Sequence, residues 1–398
     1  MFIYLNPALY TLHPCGYSMQ IEPNHSNPSP RPSARIESVT IEGFRSLKSI
    51  QALPLSNLSV LIGGNGVGKS SFIRFFEMLS WMLRSQNLSE FVVRQGGGDD
   101  QFFMGARCTP RIHAHLKLTT SAGINEYRFD LVHISAGDKL MVMNEAYRYS
   151  SSAKPSEARW SELVESGLEA HLPLQNNATA KTICGLLRQC ATYQFHDTSA
   201  NALMHQRWDV SDCARLRSDG ANLAAILWDL KEQDLPRYKG IVRQIQRVFP
   251  TLKDFILEPV AGKVLLRWRS QYGDKEFGTH LTSDGTLRLF CLITLLSLPA
   301  ERLPDVIFFD EPELGLHPHA IALVAEMMKR VAATRQVFIA TQSPYMVDCF
   351  ELENIILAEE KGGATELQSM NSEHYRRWLA DEYLISDLWL KHPVGTPL

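Results

Sequence analysis

From Val60 to Leu79 the chain reads VLIGGNGVGKSSFIRFFEML: an apolar run, a glycine-rich break, a Lys-Ser-Ser and an amphipathic stretch. The break, Gly63-Gly64-Asn65-Gly66-Val67-Gly68-Lys69-Ser70, fits the spacing G-x-x-x-x-G-K-[ST], and Ser71 follows it. Such a break between a strand and a helix has one demanding geometry. Its glycines let successive backbone N–H groups converge on an anion, and the helix N-terminus adds a favourable dipole. The pattern predicts a phosphate cradle at residues 63–71 within a strand–loop–helix unit. Lys69 would reach the β- and γ-phosphates of a nucleotide, and the Ser70 hydroxyl would ligate magnesium.

A cradle of this kind needs a second carboxylate on the magnesium side, carried by a neighbouring strand. The segment DVIFFDEPELGLHP supplies it. Val306–Phe309 form an apolar strand, and Asp310 emerges at its C-terminal end, where open α/β sheets place ligands. Asp310 is the expected magnesium partner. Glu311 is the expected group to orient and deprotonate a water attacking the γ-phosphate. Upstream, Ser283-Asp284-Gly285 opens an apolar helix within HLTSDGTLRL. Ser and Asp are ordinary helix caps, and the same helix N-terminus could grip an anion; residue mechanics leaves both readings open.

Around these motifs, strands and helices alternate. Arg35 opens an alternating strand that breaks at Gly43, LSVLIGG is a second strand, and SFIRFFEMLSWMLRSQ a helix. IHAHLKLTT, EYRFDLVHI and KLMVMNEAYRYS read as an antiparallel β region inserted after that helix. Mostly helical sequence follows, including KTICGLLRQCATYQF, NLAAILWDLKEQ and RYKGIVRQIQRVF, then a hairpin turning at Ala261-Gly262. The helix TLRLFCLITLLSL, the strand DVIFFDE, the helix HAIALVAEMMKRVAATR and the strand QVFIAT close an α/β pattern that marks a parallel sheet wrapped by helices. Residues 1–34, rich in Pro, Ser and Asn from Ile21 onward, read as a flexible arm, of which 1–18 form an optional extension before Met19.

Composition removes several classes. With Lys+Arg 40 against Asp+Glu 43, the chain lacks the basic balance of a dedicated nucleic-acid binder. Its 7 cysteines form no Cys-x-x-Cys pair, which argues against zinc and against a secreted disulfide framework. No apolar run reaches the roughly 18 residues of a membrane span, so a soluble, reduced, cytoplasmic setting is the expectation.

The order of these motifs, ending in Thr-Gln-Ser-Pro at 341–344, resembles the ABC-type ATPases of the SMC, RecF and OLD class. It is most similar to compact bacterial RecF-like AAA ATPases, some of which occur in anti-phage systems. The resemblance runs from Arg35 to the C-terminus and takes in YQFHDTS at 193–199 and the closing EYLISDLWLKHPVG. It implies an α/β P-loop head over 35–398: a P-loop lobe at 35–104, an inserted β and helical region at 105–280, and a signature, Walker B and switch lobe at 281–398. It also implies ATP and magnesium as ligands and a homodimer or higher oligomer of heads, in which two heads sandwich two nucleotides. Ser283 and Gly285 would then act in trans, and Glu313–His317 would cross the dimer axis. Gln342 occupies the switch position where the class usually has His; its amide can hydrogen-bond a γ-phosphate but cannot carry a proton. The double glycine of transporter signatures is missing, and Gln95 and Gln101 both remain candidates for a transporter-type Gln loop.

Other residues invite weaker readings. His113 with His115, and His317 with His319, read as satisfied or surface histidines without a metal-ligand cluster. Phe195-His196-Asp197-Thr198 reads as a capped turn. Basic residues gather at Arg207, Arg215 and Arg217, and at helical spacing at Arg237, Lys239, Arg243 and Arg247, a solvated face or a DNA contact. OLD proteins carry a Toprim nuclease after the ATPase, whereas 48 residues follow Phe350 here. The expectation is therefore a dimerising ATPase head that controls a separate effector, a nuclease or toxin. A RecF-like ATPase acting directly on DNA is the alternative; a transporter subunit and a P-loop kinase fit less well.

Overall fold

The computed structural model describes residues 34–84, 87–151, 158–163, 166–199, 201–370 and 384–391. The expected arm therefore lies, but for Ala34, outside the described residues, as do both ends of the closing EYLISDLWLKHPVG. The chain divides into two compact units, one of Pro30–Phe195 with Leu298–Leu398 and one built around His196–Ser297.

The larger unit begins with strands β1 (Arg35–Phe44), β2 (Leu47–Pro54) and β3 (Leu58–Ile62), then helices α1 (Lys69–Arg84) and α2 (Leu88–Arg94). Strands β4 (Ile112–Thr120), β5 (Gly123–Ile134), β6 (Lys139–Ser151) and β7 (Ser161–Glu162) follow, then helix α3 (Ala178–Leu187) and strand β8 (Cys190–Tyr193). The unit ends with β14 (Val306–Asp310), α7 (Pro318–Ala332), β15 (Gln336–Thr341), α8 (Pro344–Val347), β16 (Ile355–Lys361), β17 (Ala364–Ser369) and α9 (Ile385–Lys391).

These strands make two six-stranded sheets. One is antiparallel, in the order β2-β1-β4-β5-β6-β7; the other is mixed, in the order β17-β16-β3-β15-β14-β8. The first behaves as its sequence alternation dictates. In β4, Ile112, Ala114, Leu116 and Leu118 are buried while His113, His115 and Lys117 stay half-exposed. In the second, β3, β14 and β15 are buried at every position, as parallel strands covered on both faces must be.

Helix α1 lies between the sheets and is apolar on more than one face. Phe75 meets Phe44 of the antiparallel sheet at 5.6 Å, whereas Phe76 stacks on Phe308 of the mixed sheet at 4.9 Å. Phe308 in turn stacks on Phe338 at 4.7 Å. The helix that begins at Lys69 is thus held by aromatic packing on both sides, which fixes the helical end of the glycine-rich loop.

The smaller unit contains strand β9 (Trp208–Asp209), helices α4 (Leu223–Gln233) and α5 (Leu235–Val248), strands β10 (Leu252–Ile256), β11 (Lys263–Val264), β12 (Arg267–Ser270) and β13 (Glu276–Gly278), and helix α6 (Asp284–Ser297). Ala261 and Gly262 both have positive φ, 51° and 74°, as a tight hairpin turn of the I′ kind requires. Its core is aromatic: Phe290 of α6 meets Phe255 at 5.1 Å and Phe249 at 5.9 Å.

Two local readings change. CATYQF is not helical: α3 stops at Leu187 and β8 pairs in parallel with β14. So short a strand is recognisable only through a partner more than a hundred residues away. Next, β1 and β2 join the antiparallel sheet, so that region is not a self-contained insertion. Cys108, Cys184, Cys190, Cys291 and Cys349 are free thiols.

Candidate nucleotide site

The loop between β3 and α1 is shaped by what presses on it from behind. Gly68 has φ +99°, and a Cβ there would lie 1.9 Å from Thr365 Oγ1 and 2.4 Å from Ser46 Oγ. Only glycine fits. The same hydroxyls form a chain: Thr365 donates to Ser46 at 2.8 Å, and Ser46 donates to Ser71 at 2.8 Å. Ser71, grouped by sequence with the cradle, therefore has its hydroxyl engaged by the β1–β2 turn. Gly64, Asn65, Gly66 and Ser70 are exposed, Val67 is half-buried, and Gly63 is buried.

Lys69 opens α1 and is only 6% exposed. Its ammonium donates to the carbonyls of Gly63 and Gly64, both at 2.8 Å. Burial lowers its pKa, and the negative charges of Glu311, Asp310 and Glu313 act in the opposite sense. The charge of this buried cation is thus partly balanced by the three carboxylates.

Asp310 sits at the end of β14, 7% exposed. Its Oδ2 accepts the Ser70 hydroxyl at 3.3 Å and the Gln194 side-chain amide at 2.6 Å. Neighbouring ligands of an octahedral magnesium ion with bonds of about 2.1 Å lie roughly 3 Å apart. Ser70 Oγ and Asp310 Oδ2 fit such an ion with little movement.

Glu311 takes φ +47°, unusual for a residue with a side chain, while its N–H donates to Ala340 at 2.8 Å. This bend turns the chain out of β14 at the point where Glu311 becomes half-buried. Glu313 is buried, and one of its oxygens accepts the Thr341 hydroxyl. Burial raises its pKa. Thr341, fully buried, immediately precedes the half-buried Gln342. The segment after β14 and the segment after β15 are thereby tied to each other.

The remaining sequence candidates separate cleanly. Gln101 is fully buried, accepts from Arg45 and donates to the carbonyls of Gln95 at 3.1 Å and Gly97 at 2.8 Å. It is a structural staple, whereas Gln95 stays half-exposed with its carbonyl oxygen on Arg45 at 3.1 Å. His113 pairs with Asp130 at 2.6 Å and His115 with Glu126 at 3.1 Å, the satisfied state expected of them. His317 caps α7 by accepting from the His319 N–H. Asp197 accepts from the N–H and hydroxyl of Ser199, a capped turn. Among the described residues no His/Cys/Asp/Glu cluster of metal-binding kind is present. On α5, Lys239, Arg243 and Arg247 are exposed one turn apart, while Arg237 is held by Asp234 and the Ser297 carbonyl.

Ser283 and Gly285 lie in the smaller unit. Ser283 caps α6, its Oγ accepting the Thr286 N–H at 3.3 Å and meeting the Thr286 hydroxyl at 2.8 Å. Within one chain the helix-cap reading accounts for this residue.

Gln194 and Arg45 were given no role by the sequence, and Glu313 was expected only at a dimer axis, not tied to Thr341. Gln194 had one available signal, its place between the aromatic residues Tyr193 and Phe195. Nothing in the spacing tied it to Asp310.

The sequence profile of the family described as "AAA domain, putative AbiEii toxin, Type IV TA system" matches residues 58–348. Among solved structures, the chain is similar to an Smc head bound to the C-winged helix domain of ScpA, with a TM-score of 0.51 and 14% identity. That match covers 86% of this chain and 99% of the other. An Smc head with an extended coiled coil, bound to the C-terminal domain of ScpA derived from Pyrococcus furiosus, matches at 15% identity and a TM-score of 0.49, covering 88% and 99%. At such identity the first likeness shows the fold, that of a P-loop head. No curated protein matches the chain. No helix among the described residues is long and apolar enough to cross a membrane.

Proposed function

The chain belongs to the family described as "AAA domain, putative AbiEii toxin, Type IV TA system", and from that premise we propose that it binds ATP with magnesium and hydrolyses it. One observation carries the reading. Ser70 and Asp310, 240 residues apart, meet at 3.3 Å beside the buried ammonium of Lys69.

In this reading the backbone of Gly63–Gly68 and the Lys69 ammonium hold the phosphates, Lys69 exchanging its two carbonyl partners for phosphate oxygens. Ser70 and Asp310 hold magnesium, which when bound neutralises charge developing on the phosphates. Glu311 accepts a proton from the attacking water, and Gln342 hydrogen-bonds the γ-phosphate.

The finer proposal is that two heads close over two nucleotides, with Ser283 and Gly285 of one reaching the γ-phosphate held by the other. Ser283 is exposed at a helix N-terminus, a favourable anion contact. The closed pair would control a separate effector, a nuclease or toxin, within the cytoplasm and in a defence setting. The family description, with its toxin–antitoxin context, supports that setting, and the Smc head solved with a domain of ScpA supports a head that works through a partner. The exposed cations of α5 favour a second reading, direct action on DNA.

Light scattering of Glu311→Gln protein over a concentration series, with and without magnesium-ATP, tests the head pair. Doubling of mass with ATP is expected, and Ser283→Arg should abolish it while nucleotide binding persists. A monomer that binds ATP without doubling would remove the trans contact. ATP turnover that rises with added DNA and falls steeply with salt would favour the second reading.

A further inference from the structure

We propose that Gln194 is a positioning residue for the magnesium-side carboxylate, holding Asp310 in the orientation in which it and Ser70 receive the ion. The inference rests on the reading of Ser70 and Asp310 above, and it concerns a residue outside the cradle and both carboxylate motifs.

Register brings the two together. β8 pairs in parallel with β14, with Tyr193 opposite Phe309, so the next position on each strand sets Gln194 beside Asp310. The Gln194 amide then donates to Asp310 Oδ2 at 2.6 Å, a shorter contact than the one from Ser70. Tyr193 and Phe195 flank Gln194 and are both buried, 3% and 5% exposed. Their rings lie 5.9 Å apart, and Tyr193 lies 6.1 Å from Phe309. Side chains alternate along an extended segment, so burying these two rings directs the residue between them to the opposite face.

The strand is also anchored to the helix that carries Ser70. Ser80 and Arg84 of α1 both donate to the carbonyl of Arg188, two residues before β8, at 3.2 and 2.6 Å. Gln194 thus directly follows a strand that pairs with the strand of Asp310 and is preceded by a residue held by the helix of Ser70.

The chemistry of an amide suits the task. A buried carboxylate needs hydrogen-bond donors to remain oriented and solvated. A lysine or arginine in place of Gln194 would supply them but would also cancel the charge that attracts a cation. A glutamine donates without placing a positive charge beside the metal-side carboxylate. Hydrogen bonds to the ligands of a metal are typically worth 10- to 100-fold in metal affinity.

The experiment follows binding rather than turnover. In Glu311→Gln protein, binding of a fluorescent ATP analogue is titrated with magnesium and measured separately in EDTA. Gln194→Met, similar in size without a donor, should raise the magnesium concentration at half-saturation about 10- to 100-fold while leaving binding in EDTA unchanged. Gln194→Leu, which likewise lacks a donor and adds no charge, should shift it in the same direction. An unchanged magnesium dependence in either variant overturns the proposal. So does an equal loss of binding in EDTA, which would make Gln194 a support of the loop as a whole. Asp310→Asn separates the two levels of argument. If it too leaves the magnesium dependence unaltered, the assignment of Asp310 fails; if it shifts while the Gln194 variants do not, the positioning role alone fails.

Discussion

Replacing Gly68 by alanine is expected to destabilise the protein by about 3–5 kcal/mol and to abolish nucleotide binding. The added Cβ would lie 1.9 Å from Thr365 Oγ1 and 2.4 Å from Ser46 Oγ, at a φ of +99°. Holding a side chain in that conformation costs about 1–3 kcal/mol. Thr365 is nearly fully buried and bound to Ser46 through both its hydroxyl and its N–H, so its Oγ1 has no room to withdraw. Displacing it breaks the chain of hydroxyls to Ser71, at about 1 kcal/mol for each hydrogen bond. Urea unfolding measures the total, provided the slope with denaturant is unchanged. A double-mutant cycle isolates the clash. Thr365→Ala alone should cost about 1–2 kcal/mol, and in its background Gly68→Ala should cost at least about 1 kcal/mol less than in the wild type. Effects additive within about 0.5 kcal/mol, or a Gly68→Ala cost below about 1 kcal/mol, would refute the account of why the cradle needs glycine here.

Three further outcomes are expected. Lys69→Ala should remove nucleotide binding, measured with a fluorescent ATP analogue; retained full affinity would end the phosphate role of this ammonium. Phe76→Ala, which deletes the ring stacked on Phe308, should cost about 3–5 kcal/mol in chemical denaturation, and a loss under about 1 kcal/mol would show that α1 is not locked between the sheets. Acid stability should depend on Glu126. Burial alone would raise its pKa, but hydrogen bonds from His115 and Arg148, with their charges, lower it from 4.5 to about 2. A depressed folded value contributes stability above the unfolded pKa and loses it as pH falls from about 4.5 towards 2. Glu126→Gln should flatten that part of the profile of urea midpoint against pH, and an unchanged slope would contradict the pairing.

The parts of the site legible beforehand are those whose chemistry is local. The cradle needs glycines, a lysine and a hydroxyl at fixed spacing, and β14 is an apolar run ending in two carboxylates; both are complete within a few residues. The alternation of β4, β5 and β6 and the Ala261-Gly262 turn were readable for the same reason. Ser283 shows the limit of such reading, because capping a helix and gripping an anion draw on the same oxygen and the same helix end.

Sequence by itself determined the P-loop class of this chain and most of the strands and helices around the glycine-rich loop and Asp310. Tertiary structure decided which distant residues surround them. Gln194 reaches Asp310 because β8 takes the edge beside β14, Thr365 presses on Gly68 because β17 closes the other side, and Glu313 meets Thr341 where two strands end together. Strand order and register set these contacts, and both depend on the summed burial of the whole sheet and its helices rather than on any one segment.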